Sequence, residues 1–132
     1  MRVGLLIITH DGIGAAVLGT ATFILGGDCP LATRLLSATR DCDPNELVAD
    51  ALEAINELDN GAGVLILTDL YGATPSNIAR ALAERADVRT VSGLNLSMLM
   101  HVLNYPGMNL DQLAHKAVKG GREGVILITN NE

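Results

Sequence analysis

His10 is the residue in this chain best placed to do chemistry. It closes an aliphatic run, Arg2 to Thr9, and is followed by Asp11-Gly12 and a segment with helical spacing. A histidine at the carboxyl end of a strand can serve as a nucleophile, a general base or a metal ligand, or can simply sit in solvent in a loop. Asp69, which follows the aliphatic run GVLILT, narrows the choice. A carboxylate that accepts one ring N–H fixes the imidazole tautomer and leaves the other nitrogen's lone pair free to attack. Its charge also stabilises the ring as it becomes cationic; in the plainer reading Asp69 is a turn residue flanking the next helix. Thr74-Pro75-Ser76-Asn77 adds a third element. Pro75 has no N–H, but the N–H groups of Ser76 and Asn77 open a helix, and helix N-termini hold anions through such donors. The Thr74 hydroxyl can bond a phosphoryl oxygen or cap that helix. Gly72 and Ala73 are small enough to let an anion approach the backbone.

These residues must be positioned by the elements around them. Strand-like and helix-like runs alternate along the chain. Strands are expected at Arg2 to Thr9, Thr33 to Thr39, Gly63 to Thr68, Val88 to Val91 and Gly124 to Thr129. Helices are expected from Ile13 to Leu25, from Asp43-Pro44 to a stop at Asn60-Gly61, from Thr74-Pro75 to about Ala86, from the end of the turn Ser92 to Asn95 to about Asn104, and from Asn109 to Lys119, with Gly120-Gly121 as the last stop. Asp43 is the N-cap of the second helix and Asp11 that of the first; Thr74 is the N-cap of the third. The order β-α-β-α-β-α-β-α-α-β means an α/β fold, a mainly parallel sheet with helices on both faces. Ligands of such sheets bind beyond the carboxyl ends of the strands, near the point where strand order reverses. The three segments Thr9 to Gly12, Asp69 to Thr74 and Ser92 to Asn95 all fall at that rim.

Composition sets the limits. A chain of 132 residues suits one domain, here residues 1–132. Hydrophobic residues are 48% and aromatics only 2%, with Phe23 the single Phe, so the core must be aliphatic. The net charge is −6, with two lysines and seven scattered arginines, which excludes nucleic acid as the main partner. No apolar run reaches the roughly 18 residues a membrane span needs. The apolar N-terminus stops at Thr9 without a cleavage signal and reads as a strand rather than a targeting segment. Cys29 and Cys42 lack CxxC spacing and read as reduced thiols. There is no GxxxxGK[ST] loop, and in Gly12-Ile13-Gly14 the third glycine of a GxGxxG pattern is Val17, so a flavodoxin-like nucleotide site is disfavoured. No second His or Cys stands at metal spacing from His10, and neither metal nor cofactor is expected. His101 and His115 fall within helices and read as structural or solvated, and Met98, Met100 and Met108 as core filler.

Taken together these segments resemble the IIA component of the mannose/fructose/sorbose-type bacterial phosphoenolpyruvate-dependent sugar phosphotransferase system. The likeness runs in one collinear order through Thr9-His10, through Leu67-Thr68-Asp69-Leu70-Tyr71-Gly72-Ala73-Thr74-Pro75-Ser76-Asn77, and through Val91-Ser92-Gly93-Leu94-Asn95-Leu96-Ser97-Met98-Leu99. The resemblance implies a cytoplasmic phosphotransferase, a phosphohistidine carrier for sugar uptake or its regulation. His10 would accept a phosphoryl group from the phosphocarrier HPr and pass it to a IIB component. Asp69 matches the partner of the active histidine, and Thr74 the phosphate-side hydroxyl, with Gly72, Ala73 and Ser76 beside it. It also implies a homodimer in which the terminal strand, Gly124 to Thr129, is exchanged between subunits, antiparallel to its neighbour. Family members often carry Gly directly after the histidine, where this chain has Asp11. Many relatives continue into a IIB domain; with Glu132 as the last residue, a separate IIB protein is expected. Two other readings remain open: a regulatory binding module without a transport role, and the related phosphocarrier of dihydroxyacetone kinase, which the Asp69 to Asn77 segment fits less well.

Overall fold

The computed structural model describes residues 1–84 and 87–130. Four strands alternate with helices: β1 (Gly4–His10), α1 (Ile13–Ile24), β2 (Thr33–Ala38), α2 (Pro44–Leu58), β3 (Val64–Thr68), α3 (Thr74–Leu82), β4 (Val88–Ser92), α4 (Leu96–Leu103) and α5 (Leu110–Glu123). The strands form one parallel sheet in the order β2-β1-β3-β4. The expected α/β class and parallel sheet are therefore present.

The aliphatic runs explain the layering. Successive residues of a strand face opposite sides. Leu5 and Ile7 of β1 and Leu65 and Leu67 of β3 join one core cluster with Val102, Leu103 and Leu113 of α4 and α5. Leu6, Ile8, Val64 and Ile66 join the other, against Leu47 and Ile55 of α2 and Ile78 and Leu82 of α3. All eight strand residues are 0% exposed. A strand covered on both faces has no polar side to show, so β1 and β3 read as unbroken apolar runs. No aromatic enters this core: Phe23, Tyr71 and Tyr105 are all exposed.

Four local expectations change. First, α5 does not stop at Gly120-Gly121 but continues to Glu123. A Cβ on Gly120 would lie 2.3 Å from Cγ of His101, and one on Gly121 2.8 Å from Cε of Met98. The two glycines let α5 approach α4, so they are packing residues and not a helix stop. Second, Asp11 does not cap α1. Gly12 is the N-cap, at a left-handed φ of 86° that favours glycine, and makes no side-chain cap bond. Third, α3 starts one residue earlier than read. Ala73 is its N-cap, Thr74 its first residue, and it ends at Leu82; Ala86, where the reading placed its end, lies outside the described residues. Fourth, Gly124 to Thr129 forms no strand within the chain. Gly124 caps α5, and Val125, Ile126, Leu127 and Ile128 are exposed. Asp43, in contrast, caps α2 as expected, accepting from the Asn45 N–H at 2.9 Å.

Candidate functional site

The sheet order places the reversal between β1 and β3. From β1 the chain moves outward to β2, then crosses back to β3 on the other side. The register pairs Ile8 with Thr68, so His10 and Asp69 emerge side by side at the carboxyl rim. His10 Nδ1 lies 2.8 Å from Asp69 Oδ2. The His10 backbone N–H donates to the same oxygen at 3.1 Å, and the Leu70 N–H donates to Oδ1 at 3.1 Å. The Asp69 side chain is 9% exposed and that of His10 48%.

Burial pushes the Asp69 carboxyl up. The hydrogen bonds from the His10 ring and from the backbone N–H groups, together with the charge of the ring whenever it is protonated, outweigh it and hold the group below its usual value of 3.8. Asp69 is therefore a carboxylate at neutral pH and can only accept. Nδ1 must carry the ring proton, and Nε2 presents its lone pair away from Asp69. Oriented in this way, the imidazole can act as a nucleophile whose developing positive charge has a counter-ion in place.

Thr9, which the sequence reading passed over, fixes the backbone beneath the ring. It is 1% exposed; its hydroxyl donates to the His10 carbonyl at 2.8 Å and accepts from the Gly14 N–H at 2.9 Å. The capping that Asp11 was expected to provide is supplied by Thr9. A hydroxyl at the end of a buried strand, just ahead of Gly-x-Gly, is the signal that could have found it.

Beyond the ring opens a cavity of about 620 Å³, lined by His10, Asp11, Ala38, Arg40, Cys42 and Thr74 among others. Thr74 is thus brought to His10. Gly72, Ala73 and Ser76 do not line this cavity. Gly72 takes a left-handed φ of 85° in the turn before α3, and the Ala73 N–H donates to Leu70 O at 3.3 Å. Ser76 is buried. The Asn77 N–H, read as free for an anion, donates instead to Ala73 O at 3.0 Å inside the helix. Among the described residues no group of three or more His, Cys, Asp or Glu is arranged to hold a metal ion. Nor is any described helix long and apolar enough to cross a membrane.

A parallel α/β sheet with an Asp-oriented histidine exposed at its switch point is an arrangement able to take up a small group on the imidazole at the strand ends. The comparisons with known proteins make this specific. The family model described as PTS system fructose IIA component matches residues 4–118, and the chain belongs to that family, EIIA-man. It is 30% identical over 132 residues to the PTS system mannose-specific EIIAB component of Escherichia coli (strain K12). That alignment covers 95% of this chain but 39% of the relative, so the chain spans well under half of that protein's length. Among solved structures it is similar to the mannose/sorbose-specific IIA subunit of the phosphotransferase system from Enterococcus faecalis. There the identity is 28% and the TM-score 0.89, with 100% of this chain and 98% of that one covered. It is also 24% identical over 123 residues to the transcriptional regulatory protein LevR of Bacillus subtilis (strain 168), covering 89% of this chain and 13% of LevR. Membership of the IIA family supports a phosphocarrier role in a sugar phosphotransferase system.

Proposed function

We propose that His10 carries a phosphoryl group, received from phospho-HPr and passed to a IIB component in the cytoplasm. The observation that carries this reading is the contact between His10 Nδ1 and the Asp69 carboxylate at 2.8 Å. With Nδ1 occupied, the bond to phosphorus forms at Nε2, while the donor's bond to phosphorus breaks and its electron pair returns to the donor. The Nδ1 proton stays on the ring, and Asp69 compensates the cationic phosphoimidazole. Transfer in the other direction reverses these steps. Charge in such a transition state spreads over three equatorial oxygens, so catalysis is positioning and electrostatics. The Thr74 hydroxyl, on the wall of the same cavity, is one donor to those oxygens. Gly72, Ala73 and Ser76 do not line that cavity; their place in this proposal is to build the turn and the first residues of α3 that carry Thr74.

The homodimer belongs to this proposal. β4 pairs with β3 along one edge, and the described structure places no strand on the other. Thr90 and Ser92 of β4 bury hydroxyls that have no hydrogen-bond partner among the described residues. Beside them lies a cavity of about 450 Å³, reached by Val118, Arg122 and Val125. The exposed apolar tail Val125 to Ile128 has the composition of a strand that would cover such an edge in a second subunit.

The deciding experiment is intact-protein mass spectrometry after incubation with HPr, its kinase and phosphoenolpyruvate. The expected result is one acid-labile phosphoryl adduct, absent in His10→Ala. No adduct, or one retained in His10→Ala, would overturn the reading. The similarity to LevR favours a second reading, in which the phosphorylation state of His10 regulates a partner and no sugar is transported. A partner captured by only one of the two phosphorylation states would support it.

A further inference from the structure

Arg40 was not singled out by the sequence, yet it stands at the reacting end of the molecule. β2 runs parallel to β1, with Ala38 opposite His10 in the register. Arg40 lies two residues beyond Ala38 at the same rim, and it lines the cavity that holds His10 and Thr74. Several cations among the described residues are engaged, although Arg80 and Arg122, like Arg40, make no ion pair. Arg34 pairs with Glu57, Arg89 with Asp87 and Asp111, and Lys119 with Glu123, while Lys116 stands over the Tyr105 ring. Arg40 makes no ion pair or side-chain hydrogen bond among the described residues. Asp43, nearby in the chain, is occupied with the Asn45 N–H.

The same cavity contains Asp11. An acidic side chain there opposes an incoming phosphoryl group, which brings negative charge of its own. A guanidinium lining the same cavity offsets that charge. Arginine offers a planar fork of donors matched to phosphoryl oxygens and stays protonated in every relevant condition.

We propose that Arg40 is a ligand of the phosphoryl group on His10, donating to its oxygens from the β2 side of the cavity while Thr74 donates from the α3 side. The proposal rests on the phosphohistidine reading above and adds to it a cation that the resemblance does not imply. It also makes a carboxylate next to the active histidine tolerable.

The test uses potassium phosphoramidate, a small donor that needs no protein docking, so that an effect on partner binding is kept apart. The P–N bond of the donor breaks, ammonia leaves, and phosphorus bonds to Nε2. Adduct formation at His10 is followed by mass spectrometry in wild type, Arg40→Gln, Arg40→Lys and the double variant Asp11→Asn/Arg40→Gln, with circular dichroism to confirm that each is folded. Arg40 is exposed, so the fold is expected to survive all three changes. The expected result is phosphorylation about tenfold slower in Arg40→Gln, intermediate in Arg40→Lys, and still slow in the double variant. Arg40→Gln reacting at the wild-type rate would overturn the proposal. So would full recovery in the double variant, since Arg40 would then serve only to neutralise Asp11. If wild type itself forms no adduct at His10 from either phosphoramidate or HPr, the phosphohistidine reading falls first and this proposal with it.

Discussion

Among the described residues His10 and His115 each border a concavity, and the two rings are held by different acceptors. At the rim of the sheet, His10 faces a cavity of about 620 Å³; on α5, His115 faces one of about 520 Å³. In both, Nδ1 is held at 2.8 Å by an oxygen, so both rings have a defined tautomer and an outward Nε2. The acceptors differ. His115 donates to the Asp111 backbone carbonyl one turn back in its own helix, whereas His10 donates to a carboxylate 59 residues away in sequence. A neutral carbonyl orients a ring; a carboxylate also lowers the energy of the cation that forms when the ring is phosphorylated. The surrounding cations differ as well. Lys116 and Lys119 beside His115 are held by Tyr105 and Glu123, while Arg40 beside His10 makes no ion pair among the described residues. Fixing a tautomer is therefore cheap and common, and the counter-charge at the rim is what sets His10 apart.

The largest effect is expected where that counter-charge is removed. Asp69→Asn keeps the shape but can either donate or accept at Nδ1, so it neither fixes the tautomer nor offsets the phosphoimidazole. Phosphoryl transfer from HPr, followed by rapid quench, should slow about 100-fold. Unchanged rates would place Asp69 on a level with the Asp111 carbonyl and dissolve the contrast. The same variant carries a stability signature. The folded protein holds the Asp69 carboxyl below 3.8, so its contribution is present above that value and lost as pH falls through the folded one. Urea unfolding between about pH 5 and about pH 2 should show wild type losing more stability than Asp69→Asn.

A middle-sized effect is expected from the helix pair, acting on stability and not on transfer. Gly120→Ala would drive a Cβ to within 2.5 Å of Cβ of His101 and should cost about 1 to 3 kcal/mol by overpacking. Gly19→Ala, in α1 with nothing within 4 Å of the new Cβ, should instead stabilise by about 0.5 to 1 kcal/mol. Thermal unfolding of the two variants separates packing from propensity. Transfer rates at a temperature where both are folded should match wild type, because the wedge touches α4 and α5 and leaves the rim alone.

What the sequence revealed and what it hid divide along the same line. β1, β3 and the start of α2 were legible because burial on both faces and an Asp-Pro cap leave local signatures. His10 and Asp69 were legible because each directly ends a strand, and their contact follows from sheet order alone. Arg40 was not, since its place depends on β2 lying beside β1 in one register. Thr9 looked like one more β-branched strand residue; its role is seen only when Gly14 folds back over it. Gly120-Gly121 misled, because a pair of glycines that admits a neighbouring helix has the same letters as a pair that ends one. The tail from Gly124 to Thr129 has the sequence of a strand but forms none among the described residues. Long-range packing decides each of these, and local pattern does not register it.

The smallest effect is expected at His115. Its ring is exposed on α5, its one hydrogen bond lies within its own helix, and glutamine has nearly the helix propensity of the better helix formers. His115→Gln should therefore change unfolding free energy by no more than about 0.5 kcal/mol, and leave transfer from HPr and from phosphoramidate unaltered. Since both histidines present a free Nε2 beside a cavity, a small phosphoryl donor can reach either, and the comparison predicts that only His10 retains the group. A phosphoramidate adduct lost in His10→Ala but kept in His115→Gln would assign that retention to the carboxylate at the rim. An adduct that persists in His10→Ala and disappears in His115→Gln would show that an oriented imidazole beside a cavity is enough, and that the buried charge of Asp69 contributes nothing to where the phosphoryl group resides.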